Sequence, residues 1–269
     1  MPVNNFLTAV MRERGQDAQR ANRTTALAML KQQLTAFPGR RSLTEAWRRP
    51  KTAAGELLIL AEVKKASPSA GLICRDYHPA ALAGEYEKAG AAAISVLTEP
   101  RHFQGSDDDL RAVRQAVRLP ILRKDFISEP YQVYESAILG ADIILLIAAA
   151  LDGRVMRGLV NLAVDIGLDV LVEVHTLQEL EQAALLKQVI VGVNSRDLVT
   201  LKTDLAVARR LAPDLPKDRL CIAESGIHNR RDIEQLQAVG YQGFLIGESL
   251  MKSPDAGQQL RAFLVPAGS

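Results

Sequence analysis

Six short stretches of this chain place acids, lysines or polar residues directly after apolar runs. They read Glu62-Val63-Lys64-Lys65, Arg123-Lys124-Asp125, Glu173-Val174-His175, Asn194-Ser195-Arg196-Asp197, Glu224-Ser225-Gly226 and Gly247-Glu248-Ser249. A charge that close to an apolar run needs a partner if it is buried. Six of them together make a polar cavity if the runs are neighbouring strands. Glu62 and Lys64 are two apart, so on a strand they share a face and Val63 takes the other. A lysine beside acids keeps its proton and can donate it, and a carboxylate beside lysines stays ionised and can act as a base. Lys64, Lys124, Glu62 and Glu173 together offer acid–base chemistry that needs no metal.

Phosphate is the second chemistry suggested. Ser225-Gly226 and Gly247-Glu248 place glycines in the last two turns, where barrel enzymes often bind phosphate beside a short extra helix. Each glycine alone is equally well read as a turn residue. The four histidines, His78, His102, His175 and His228, lack the spacing of a zinc site. His175 reads as a solvent-side loop residue. Asp107-Asp108-Asp109 opens a helix and suits its dipole. Arg40-Arg41 and Arg48-Arg49 read as solvated surface.

These residues must be positioned by the elements before them. After about residue 55 the chain alternates short apolar runs with amphipathic segments. The runs are Leu57–Val63, Ala92–Leu97, Pro120–Leu122, Ile143–Ile147, Asp169–Val174, Val189–Val193, Leu220–Ala223 and Gly243–Ile246. They lack polar alternation, as strands covered on both faces do. Helical patterns follow at Pro79–Ala89, Asp107–Val117, Pro130–Leu139, Gly153–Ile166, Leu177–Leu186, Leu205–Leu211, Arg230–Val239 and Ala256–Leu264. The units repeat at about 26 residues, the scale of a βαβ unit. Eight of them predict an α/β fold, a closed (β/α)8 TIM barrel, with a doubly wound open sheet as the alternative. No Gly-x-Gly-x-x-Gly follows the first run, which disfavours the dinucleotide-binding version of that sheet. Residues 1–55 are polar and basic, with helical stretches expected at Ala18–Phe37 and Leu43–Arg48. They are expected to form an extension, with 56–269 as the barrel.

Composition fits this reading. The chain has 269 residues, 33 basic and 31 acidic, for a net charge of +2. It is 48% hydrophobic and 24% charged, which is ordinary globular usage. Near-zero net charge and 4% aromatic residues argue against nucleic-acid binding. Ile143–Leu151 is too short to span a membrane, and the N-terminus does not read as a signal peptide. Cys74 and Cys221 read as reduced thiols. The expectation is a cytoplasmic protein, a monomer or weak homo-oligomer, acting on a small phosphorylated molecule.

At these residues the sequence resembles the indole-3-glycerol phosphate synthase family. The matching stretches are AEVKKASPSAG at 61–71, SVLTEPRHFQGS at 95–106, LRKDFISEPYQVYES at 122–136, LVEVHT at 171–176, GVNSRDL at 192–198, AESGI at 223–227 and LIGESLM at 245–251. The first and third carry most of the specificity. The resemblance implies conversion of 1-(2-carboxyphenylamino)-1-deoxyribulose 5-phosphate to indole-3-glycerol phosphate, with loss of carbon dioxide and water, and without cofactor or metal. It implies that Lys124 is the general acid of ring closure and Glu173 the base of the last proton removal. Lys64 would contact substrate and serve in dehydration, and Glu62 would orient the catalytic lysine. Asn194, Ser225, Ser67 and Arg196 would contact substrate, with Glu224 a supporting acid. Phe103, Phe126, Leu145 and Leu198 would wall the aromatic ring. Phosphate would rest near Gly226, Gly247, Glu248 and Lys64. The extension is expected to pack over the barrel mouth. Ser195 stands where many members have a second asparagine. Phosphoribosylanthranilate isomerase, a ribulose-phosphate epimerase and a non-catalytic phosphate sensor are the rivals. The isomerase would put a cysteine and an aspartate at early strand ends, where this chain has Glu62 and Lys64.

Overall fold

In the computed structural model, residues 5–34, 40–48, 57–197 and 200–265 are described. Eight parallel strands close into a barrel: β1 Leu58–Val63, β2 Ala93–Leu97, β3 Ile121–Lys124, β4 Ile143–Ile147, β5 Asp169–Val174, β6 Val189–Asn194, β7 Cys221–Glu224 and β8 Gly243–Ile246. Each pairs with the next, and β8 returns to β1 in the register Leu58↔Gly243 to Ala61↔Ile246. That last pairing excludes the open sheet.

The strands read as continuous apolar runs because they are buried on both faces. Along β1, Ile59, Ala61 and Val63 face the helices, while Leu60 joins the interior cluster. On β4, Ile144 and Leu146 face out and Ile143, Leu145 and Ile147 face in. Helices between strands stop and start where the chain says so. Pro79 and Pro130 open α4 (Pro79–Ala89) and α6 (Pro130–Leu139), and left-handed Gly90 and Gly140 close them. Ser106 caps α5 (Asp107–Ala116) by accepting from the Asp109 amide at 3.1 Å. The barrel helices α7 (Gly153–Asp165), α8 (Leu177–Ala184), α9 (Ala206–Leu211), α10 (Arg230–Ala238) and α12 (Ala256–Leu264) follow. A four-residue helix, α11 (Glu248–Met251), precedes α12.

The N-terminal segment differs from its expected form. Helix α1 spans Asn5–Thr24 and α2 spans Leu27–Leu34, so the single stretch from Ala18 is corrected. It breaks at Thr25-Ala26, where the Asn22 side chain accepts from the Leu27 amide at 2.9 Å. Phe37 lies outside the described residues. Helix α1 lies against the mouth: Phe6 and Leu7 line the cavity there, and Arg14 donates to both carboxylate oxygens of Asp125, just past β3.

Residues 40–48, including α3 (Leu43–Arg48), sit at the other end of the barrel. Ser42 Oγ donates to the Asp169 carboxylate at the start of β5, and the Arg41 amide donates to Asp142 just before β4. Arg41 also donates to the carbonyls of Val117 and Leu119, so Arg40-Arg41 is half-buried rather than solvated surface. Arg48 is exposed, and Arg49 lies outside the described residues. Leu43 is fully buried in the interior cluster with Leu60, Leu122 and Leu220. Leu43→Ala is expected to lower stability by about 2–5 kcal/mol in urea unfolding, because it leaves a void at a closed barrel end. Turnover at saturating substrate should be unchanged, since the residue lies at the end away from the cavity.

Candidate active site

A cavity of about 750 Å3 opens at the C-terminal ends of the strands. Its floor is charged. Lys64 Nζ donates to Glu62 Oε1 at 2.6 Å, both projecting inward from the end of β1. Lys124 Nζ, at the end of β3, lies 3.0 Å from Glu224 Oε2 and 3.4 Å from Glu173 Oε2. Two lysines and three glutamates, from four strands, therefore meet in one place. One side of the cavity is apolar. Phe103 and Phe126 stand with ring centroids 6.1 Å apart, Leu145 comes from β4, and Phe6 and Leu7 come from α1.

The remaining sequence-predicted residues fall around this floor. Ser67, Asn194, Arg196, Ser225, Gly226, Gly247 and Glu248 all line the cavity, and Glu224 reaches it through Lys124. Leu198 lies outside the described residues. Asn194 accepts from the Arg196 amide at 2.9 Å, and its side chain also hydrogen-bonds Glu173. Arg196 spans the mouth: it donates to Ser69 Oγ, to the Leu201 carbonyl and to Glu248 Oε2. Glu248 is held from its other side by Lys252 at 2.7 Å. Ser225 takes a left-handed φ of 65°, followed by Gly226 at 77°, so the chain reverses sharply beside the cavity.

Burial and charge compete at every ionisable group here. For Lys124, burial pulls the ammonium pKa down, but Glu224, Glu173 and Glu62 more than offset it and hold the proton above the ordinary lysine range. For Glu62, burial pushes up and the ammonium groups of Lys64 and Lys124 win, leaving it ionised. Glu173 is likewise buried, yet Lys124, His175 and Asn194 bring its carboxyl below the usual range. Glu224 goes the other way. Burial and Glu173 push it up against a single lysine, and its Oε1 has no hydrogen-bond partner among the described residues.

Two glycines exist to make room for these acids. A Cβ on Gly247 would collide with the Glu62 carboxylate, and one on Gly192 would collide with that of Glu224. Gly247 is therefore required by its neighbour on β1, whatever it offers a phosphate.

Several residues at the site were not singled out by their type or spacing. His175 is not a solvent-side loop residue. Its side chain is 13% exposed, with Nε2 3.4 Å from Glu173 Oε1 and Nδ1 3.4 Å from Glu179 Oε2. Glu99 is fully buried and accepts from the amides of Arg101, His102 and Phe103 at 2.7–3.0 Å, which fixes the loop carrying Phe103. Asp125 is held by Arg14 and by Thr98 Oγ1 at 2.6 Å. Behind it, Arg123 is completely buried and pairs with Asp107 at 2.8 Å and Glu135 at 2.9 Å. Asp107 thus does more than favour a helix dipole.

The family model for indole-3-glycerol phosphate synthase matches residues 7–263. The chain belongs to this family. It is 50% identical over 211 residues to the indole-3-glycerol phosphate synthase of Rhodospirillum rubrum, covering 78% of this chain and 80% of that one. It is 49% identical over 210 residues to that of Azospirillum brasilense, covering 78% and 80%. To that of Dehalococcoides mccartyi it is 48% identical over 212 residues, covering 78% and 82%. Among solved structures, a thiamine phosphate pyrophosphorylase from Pyrococcus furiosus aligns with a TM-score of 0.58 at 15% identity, covering 77% of this chain and 93% of that one. That likeness shows the shared fold.

Gly247→Ala is expected to cost about 1–3 kcal/mol of stability in urea unfolding. In a Glu62→Gly background, which also removes the Cβ that would lie 3.0 Å away, the added cost should fall to a small fraction of that. Equal costs in the two backgrounds would mean that the collision lies elsewhere.

Proposed function

We propose that this chain closes, decarboxylates and dehydrates 1-(2-carboxyphenylamino)-1-deoxyribulose 5-phosphate to indole-3-glycerol phosphate, a step of tryptophan synthesis, and is a carboxy-lyase by class. The observation that supports this most is the single cavity in which Lys64–Glu62 and Lys124–Glu173–Glu224 face an apolar wall, in a chain of this family.

The aromatic ring would lie against Phe103, Phe126, Leu145 and Leu198. Its carboxylate would face Ser67 and Arg196. The phosphate would rest on backbone near Gly226, Gly247 and Glu248, within reach of Lys64. Anchoring both ends brings the ring carbon that bears the carboxylate up to the ribulose carbonyl carbon. As that carbon–carbon bond forms, the carbonyl oxygen becomes an alkoxide. An alkoxide is a stronger base than an amine, so it takes the proton of Lys124 although the carboxylates hold that proton firmly. Carbon dioxide then leaves, and its bonding pair restores the aromatic ring. The new hydroxyl leaves as water with a proton from Lys64, which Glu62 orients. Glu173 takes the proton from the adjacent carbon, and the second ring gains its double bond. Asn194 and Ser225 would contact the substrate, and Glu224 would support Lys124. The apolar wall keeps water from the charged intermediates.

In this reading residues 1–55 are the N-terminal extension and 56–269 the catalytic barrel, with no cofactor or metal. The chain would work in the cytoplasm as a monomer or weak homo-oligomer, without nucleic acid. The free thiols of Cys74 and Cys221 suit a reducing compartment. Among the described residues no helix is long and apolar enough to cross a membrane.

Purified protein is expected to form product, read by indole fluorescence, in the presence of a metal chelator. Substrate left intact after long incubation at high enzyme would sink the reading. Lys124→Met should keep a cooperative unfolding transition and lose at least about a hundredfold in turnover. Full turnover in that variant would remove Lys124 from the acid role.

A further inference from the structure

The two oxygens of the Glu173 carboxylate face different cations. Oε2 faces Lys124 at 3.4 Å and Oε1 faces His175 Nε2 at 3.4 Å. His175 stands two residues beyond Glu173, on the same side of the chain, where β5 gives way to α8. Its other ring nitrogen, Nδ1, is 3.4 Å from Glu179 Oε2. The same Glu179 oxygen accepts the His175 amide at 2.7 Å. Glu179 is fixed in turn: its own amide donates to Thr176 Oγ1, the cap of α8. Imidazole and carboxylate are thus locked to the first turn of a helix, and the ring is pressed between two acids. Each ring nitrogen thus faces one carboxylate oxygen at 3.4 Å.

We propose that His175, clamped by Glu179, is a positioning residue for Glu173: it holds Oε1 so that Oε2 is the oxygen presented to the reacting carbon and to Lys124. The proposal rests on the reading of Glu173 as the base of the last step. An unclamped carboxylate could swing both oxygens toward Lys124, which sits between Glu173 and Glu224. It would then be paired with the acid instead of free to take a proton from substrate. The clamp also supplies a second positive charge beside Glu173. Burial lowers the imidazole pKa, but Glu173 and Glu179 outweigh it and push it up to about 10, so the ring is cationic through neutral pH. The charged groups facing this pair are Glu179 from α8, Lys124 from β3, and Glu224 from β7 beyond Lys124.

A carboxylate base works only when ionised, and a nearby cation lowers its pKa. Removing the cation raises that pKa, so activity is lost at higher pH on the acid side. His175→Gln keeps a polar side chain without the charge. It is expected to lower kcat about tenfold or more, to leave KM within about threefold, and to move the acid limb of the kcat–pH profile up by about one unit or more. Glu179→Gln keeps an acceptor for the His175 amide and removes only the charge. In that variant the 15N-detected imidazole pKa should fall by about one unit or more from the wild-type value, and kcat should begin to drop at lower alkaline pH.

Wild-type kcat and pH profile in His175→Gln would overturn the proposal. A lower kcat with an unmoved acid limb would also overturn it, by assigning His175 to packing alone. Glu173→Gln separates the two claims. If that variant turns over normally, the base reading itself is wrong; if it is inactive while His175→Gln is normal, only the clamp fails.

Discussion

Lys124 carries its charge inside the barrel, and the rest of the mouth answers to that. A buried ammonium is costly unless acids surround it, and three glutamates do so from β1, β5 and β7. Those glutamates are costly in turn, and their number exceeds what one lysine can neutralise. Lys64 takes up Glu62, and His175 takes up the far oxygen of Glu173. Among the described residues Glu224 pairs with Lys124 alone and its Oε1 has no hydrogen-bond partner, and it is the member pushed toward the neutral form. The uneven sharing separates the carboxyls into ionised and protonatable forms without any change of residue type.

Steric provision goes with the electrostatic one. Gly247 and Gly192 are bare because the carboxylates of Glu62 and Glu224 occupy the space their side chains would take. Behind the mouth, fully buried Arg123 ties β3 to α5 and α6 through Asp107 and Glu135. Asp125, next to Lys124, is fastened to α1 by Arg14 and to the residue just past β2 by Thr98. The residues on either side of Lys124 are therefore fixed by partners on other elements. Its reach into the cavity is set by a frame, not by its own long side chain.

The barrel was legible because its signals are local. Two-sided burial gives unbroken apolar runs, and prolines and glycines mark helices α4 and α6 at both ends. Alternation along β1 placed Glu62 and Lys64 on one face, and the structure joins them at 2.6 Å. Features that depend on a distant partner were not legible. Helix α1 buries Leu7, Val10, Met11, Arg14 and Ala18 along one side, but Arg14 is a charge whose partner is 111 residues away. Its low hydrophobicity hid the helix start. Arg41 looked like surface because the carbonyls it reaches lie 76 and 78 residues on. His175 looked like a loop residue because its burial depends on how the first turn of α8 folds back over the end of β5. Glu99 carried no motif, since its partners are backbone amides.

The N-terminal segment has a consequence for how the chain is made. It is made before the acids that anchor it. Asp125 trails Arg14 by 111 residues, Asp142 trails Arg41 by 101, and Asp169 trails Ser42 by 127. At about 5–20 residues per second the segment waits several seconds or longer for these partners. The first strand finds one neighbour early, in β2, but its other edge waits for the last strand. One piece of chain thus borders the mouth and packs on the far end of the barrel, and it is made before the strands it rests on.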